Sequence, residues 1–133
     1  MVPGIGQIKF IIRRENNTMQ IISHYPEQLT KKHIYALTMS PKTLKMKDAK
    51  GSKLQVAAWC LYEDLDKDGE PRRVLTIATP EDETYATNSS TFQNDFQSMV
   101  DLFGPGGVDA IEVISGQSKA GREYITCAYA GNG

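Results

Sequence analysis

Between Val108 and Tyr129 the chain reads Val-Asp-Ala-Ile-Glu-Val-Ile-Ser, then Gly-Gln-Ser-Lys-Ala-Gly, then Arg-Glu-Tyr-Ile-Thr-Cys-Ala-Tyr. Two segments rich in β-branched and aromatic residues flank a short loop bounded by glycines, which is the pattern of a β-hairpin. Side chains alternate along a strand, so Glu123, Ile125, Cys127 and Tyr129 share one side while Arg122, Tyr124, Thr126 and Ala128 share the other. The first side reads as core. The second is polar, with one aromatic ring and an arginine at its loop end, a surface suited to a charged ligand with flat rings.

The rest of the chain bounds what such a hairpin can belong to. With 133 residues, 40% of them apolar, there is enough material for one domain with a real core and too little for two. Nothing resembles a signal peptide, no apolar run approaches the roughly 18 residues of a membrane span, and Cys60 and Cys127 sit inside apparent strands. The expectation is a soluble, cytoplasmic chain with reduced thiols and no membrane partner. Charge is unevenly spread: Thr30 to Lys53 holds seven lysines against Asp48 alone, whereas Glu63 to Glu83 holds eight acids against three cations. This asymmetry fits a basic face for a polyanion and an acidic face held away from it, unless folding interleaves the two.

Taken in order, Ile8, Phe10 and Ile12 alternate like a strand, and Arg13-Arg14 then precedes Met19 by a few codons. Arg-Arg can be encoded AGG-AGG, a bacterial ribosome-binding sequence. Residues 1–18 are therefore either a translated leader ahead of a start at Met19 or an extra N-terminal strand, and 19–133 is the expected domain. Met19 to Ser23 can form a short strand. Thr30 has the form of an N-cap, with Leu29 and Ile34 as a hydrophobic staple, and Pro41 predicts a helix end near Met39. Lys42 to Gly51 reads as a basic loop or one helical turn anchored by Leu44 and Met46. Lys53 to Tyr62 is the strongest strand pattern, apolar on both sides as a central strand requires. Trp59 shares its inferred face with Lys53 and Gln55, so it is either core or a platform for a ligand ring.

Asp64, Asp66, Asp68 and Gly69 match the opening of an EF-hand loop, but the eighth position is Pro71 and the twelfth is Leu75 where a bidentate Glu is needed. The segment instead predicts a hairpin turn with Gly69 at positive φ. Arg72 to Thr79 returns as a strand and Thr84 to Thr87 adds a short one. Phe92, Phe96, Met99, Val100 and Phe103 then fall on one helical stripe, capped within Asn88-Ser89-Ser90-Thr91 and stopped by Gly104-Pro105. The fold class is mainly β with two helices: a small, partly open barrel of the OB type, or else a helix-backed antiparallel α+β sheet.

No nucleophile has a partner suggested by spacing, His24 and His33 stand in no metal-ligand spacing, and the Gly116 to Gly121 loop lacks the Gly-Lys-Ser/Thr of a phosphate-binding loop. A non-enzymatic chain without metal or cofactor is expected. What remains is Lys53, Trp59, Arg72, Arg122 and Tyr124 on strand faces, with Lys42, Lys45, Lys47, Lys50 and Lys119 on loops. Cations interleaved with aromatics on a sheet face describe a single-strand binder, in which bases stack on rings and phosphates meet cations. A duplex binder would need a groove-filling recognition helix, and none is evident.

Three segments carry a likeness: Tyr35-Ala-Leu-Thr-Met-Ser-Pro-Lys-Thr43, Asn88-Ser-Ser-Thr-Phe92, and Ile111-Glu-Val-Ile-Ser-Gly-Gln-Ser-Lys-Ala-Gly-Arg-Glu-Tyr-Ile-Thr126. Together they resemble small bacteriophage single-stranded DNA-binding proteins, over roughly Met19 to Tyr129. The resemblance implies a non-enzymatic protein that coats and protects replication intermediates in the cytoplasm of a bacterial host, with single-stranded DNA and replication proteins as partners. The alternative from another class is a phage or mobile-element protein-interaction module that binds no nucleic acid.

Overall fold

The structure is a computed structural model that describes residues 11–14 and 17–132, with side chains from Met19 onward. Ile8 and Phe10 lie outside the described residues. Ile11–Arg14 forms strand β1, paired antiparallel with β2 (Asn17–Tyr25), which extends well beyond the expected Met19 to Ser23. Helix α1 (Lys31–Thr38) follows, and its boundaries match the local signals: the Thr30 hydroxyl accepts the His33 N–H at 3.1 Å, and Met39 is the C-cap.

The lysine-rich segment is folded. Strand β3 (Leu44–Lys45) leads into a single 3-10 turn over Met46–Ala49, in which Met46 and Ala49 are buried and hold the backbone to the core. Lys53 to Tyr62, expected as one strand, is two. Strand β4 (Lys53–Gln55) ends at a corner where the Val56 N–H donates to Asp109 O and the Ala57 N–H to Ala78 O, and β5 (Ala58–Leu65) continues in a different sheet. The turn after β5 closes as expected, with Asp66 Oδ1 accepting the Asp68 and Glu70 N–H groups and Gly69 at φ 80°. It leads into β6 (Pro71–Ala78) and then β7 (Thr84–Thr87). Helix α2 (Ser90–Phe103) precedes the final hairpin of β8 (Ala110–Gln117) and β9 (Glu123–Tyr129).

The strands form two sheets, one of six in the order β1-β2-β5-β6-β7-β3 and one of three in the order β4-β8-β9. Neither closes on itself, so the fold is mainly β with two helices and partly open. Both faces of the larger sheet are apolar because β5 and β6 are its centre. Trp59, Leu61, Leu75 and Ile77 face the space between the sheets, where Phe92, Phe96 and Val100 of α2 meet Ile111, Val113, Ile125 and Cys127 of the hairpin. Cys60, Tyr62 and Val74 face the other way, with Met19, Ile21 and Leu37 of α1. The two cysteines are free, one in each cluster, and burial pushes both thiols up to about 12. No helix among the described residues is long and apolar enough to cross a membrane.

Two polar side chains, Gln93 buried and Ser89 half-buried, fix where α2 begins. Gln93 Nε2 donates to Arg73 O and Thr87 O, each at 3.0 Å, which ties the first turn to β6 and to the end of β7. The Ser89 hydroxyl accepts the Phe92 N–H at 3.2 Å and donates to Ile125 O at 3.4 Å, which ties it to β9. Ser89→Ala is expected to cost about 0.5–2 kcal/mol of stability in urea denaturation, the usual worth of an N-cap, with Ser89→Thr recovering most of it. An unchanged midpoint would move the cap to a neighbouring hydroxyl.

Candidate nucleic-acid interface

The expected site residues separate into three groups. Trp59 leaves the site altogether. It is 2% exposed, its Nε1–H donates to Pro105 O at 3.0 Å, and its ring meets Phe96 edge-on at 5.4 Å. The reading of Trp59 as a ligand platform is therefore corrected: no base can stack on an indole enclosed in this way. The cause is the corner at Val56 and Ala57. Alternation extended from Lys53 through an unbroken strand puts Trp59 on the exposed face of Lys53 and Gln55, but the chain changes sheets there and the phase changes with it. Leu54 and Trp59 then point into the same core.

The second group lies on the outer face of the three-stranded sheet. Ile111, Val113, Ile125 and Cys127 are buried inward, so alternation gives the outer face to Lys53 and Gln55 on β4, Glu112, Ile114 and Gly116 on β8, and Tyr124, Thr126 and Ala128 on β9. Lys53 sits opposite Glu112 in register. Tyr124 sits opposite Gly116, and a Cβ at Gly116 would come within 2.7 Å of the Tyr124 ring. Glycine leaves the ring room to lie across β8. That ring stays 41% exposed, a flat platform whose position is set by the strand below it. Lys119 and Arg122 are exposed at the hairpin end, where the Arg122 N–H donates to the Ser118 hydroxyl.

The third group surrounds a cavity of about 590 Å³ between the edge of β9 and the β6, β7 and β3 side of the larger sheet. Lys45, Lys47 and Arg72 line it, brought from β3, the 3-10 turn and β6. Among the described residues none of these three is in a salt bridge. Tyr62, Val74 and Ile125, all buried, contribute to its apolar part, and burial pushes the Tyr62 phenol above its ordinary value. Thr87, Asn88 and Ser89, which lead into α2, line its wall, so the N-cap of that 14-residue helix lies beside the three cations. Glu123 lines the cavity too, but Lys50 holds its carboxylate at 2.9 Å, and this pair offsets the one acidic side chain of the lining. Tyr124 belongs to both the second and third groups, because β9 is the strand at which the cavity meets the outer sheet face.

Lys42 stands apart, exposed in the turn before β3. The sequence also passed over Tyr62, Asn88 and Ser89. Tyr62 reads as the end of a strand and Ser89 as one of several cap residues, and neither reading shows that a strand edge, a cap and a basic turn converge. Compared with known protein families, with curated proteins and with solved structures, the chain matches none.

Proposed function

We propose that this chain is a sequence-independent, non-enzymatic single-stranded DNA-binding protein that coats and protects replication intermediates in a bacterial host cell. The observation that carries the reading is the convergence of Lys45, Lys47 and Arg72 from separate elements on one cavity, next to the exposed ring of Tyr124. Phosphates meet the cations there while a base stacks on the ring, which is how single strands are held without base-edge readout. The backbone path runs from the cavity over β9 onto the sheet face that carries Thr126, Gln55 and Lys53.

A labelled oligothymidine titrated at two salt concentrations tests this. Micromolar or tighter binding at low salt is expected, steeply weakened by added salt, with duplex of the same length weaker. Tyr124→Ala should cost about 1–3 kcal/mol of that binding, while thermal stability barely moves, since the ring lies on the surface. Equal affinity for duplex and single strand, or none for either, sinks the reading and turns attention to a protein partner.

A further inference from the structure

The cavity beside the edge of β9 has two halves of different chemistry. Buried Tyr62, Val74 and Ile125 give it an apolar floor, and Lys45, Lys47 and Arg72 stand around that floor with Asn88 and the α2 cap Ser89. A ligand complementary to both halves has a flat, weakly polar body joined to an anionic group. Its size is bounded as well: about 590 Å³ falls within the roughly 300–1,000 Å³ of sites that enclose a small molecule. A strand that crosses such a space must leave it on both sides, so the contacts inside are those of a short stretch, for which a single nucleotide is the smallest probe.

We propose that the cavity is a discrete pocket for one nucleotide, and that a free 2′-deoxynucleoside monophosphate occupies it with no strand attached. The phosphate lies among Lys45, Lys47 and Arg72, where the guanidinium can take two of its oxygens at once. The base lies against the floor. This rests on the single-strand reading for the ligand's chemistry, and it adds that affinity for a strand is concentrated in one recessed unit next to the open platform of Tyr124.

Calorimetric titration of the full chain with each of the four 2′-deoxynucleoside monophosphates, with thymidine and with inorganic phosphate tests the pocket, alongside labelled oligothymidine. At least one monophosphate is expected to bind at one per chain and at least tenfold more tightly than thymidine or phosphate alone. Arg72→Ala should weaken it about tenfold or more, and Arg72→Lys less. Arg72 is exposed, so both variants keep the fold, which circular dichroism checks. Failure of all four monophosphates to bind, or phosphate alone binding as tightly as they do, overturns the pocket. Oligothymidine binding without monophosphate binding overturns the pocket and leaves the strand reading in place. Monophosphate binding without oligothymidine binding sustains the pocket and overturns the strand reading.

Discussion

Trp59→Ala is expected to lower folding stability by about 3–5 kcal/mol, the scale of emptying a large aromatic site in a packed core. The indole is the largest buried side chain, it packs on Phe96, and its N–H anchors the Gly104 to Gly107 turn through Pro105 O. Removing it leaves a void and deletes the hydrogen bond that holds that turn. Trp59→Phe keeps most of the volume and should cost clearly less. Urea denaturation followed by circular dichroism measures both, since the alanine variant has no tryptophan signal. A loss below about 1 kcal/mol would be that of a surface residue and would contradict the burial. In the intact chain, the emission should be blue-shifted and should stay so when single strands are added.

The second large effect is on binding. Replacing Lys45, Lys47 and Arg72 together by alanine is expected to flatten the salt dependence of oligothymidine affinity by about 2 in log–log slope, at roughly 0.7 per phosphate contact on a single strand. Affinity at low salt should fall by on the order of tenfold or more. All three side chains are exposed, so stability should stay within about 0.5 kcal/mol. Lys31→Ala with Lys32→Ala and Lys42→Ala is the matched control, because all three lysines are exposed and none lines the cavity. An unchanged slope in the triple variant, or an equal change in the control, would mean that charge acts on the strand without a site.

How much of this was legible in the sequence depends on whether a signal is local. The Thr30 cap, the positive-φ turn at Gly69, the α2 stripe ending at Gly104 and the sides of the final hairpin were all readable, because each is fixed by residues a few positions apart. Strand β3 was not, since two residues carry no period and its partner β7 lies far along the chain. The corner at Val56 was not either, because both halves of that segment are apolar and alternate without a break. What marks the corner is a pair of backbone hydrogen bonds to Asp109 and Ala78, and backbone groups leave no trace in residue type. The site suffered in the same way. Alternation placed Lys53 with Gln55 and Tyr124 with Thr126, which the register sets on one sheet face, but it put Trp59 and Arg72 there as well and could not show that Arg72 belongs to a cavity with Lys45 and Lys47. That grouping is made by packing between the sheets.

The corner also ranks the order in which the chain can assemble. Pairing β5 with β6 closes only the short turn at Asp66 to Gly69, and β7 follows β6 after another short turn. Pairing β4 with β8 sets Lys53 opposite Glu112 and must gather all of β5 to β7 and α2 into the closing loop, at a larger entropic cost. The β5-β6-β7 part of the larger sheet and the β8-β9 hairpin can therefore form from neighbours in sequence, while β4 joins the smaller sheet only after a long loop has closed. The cavity takes one wall from β3, whose partner β7 lies far along the chain, and another from β9, so it exists only once long-range pairing has joined both sheets, and a chain that can grip a ligand there has already brought its distant parts together.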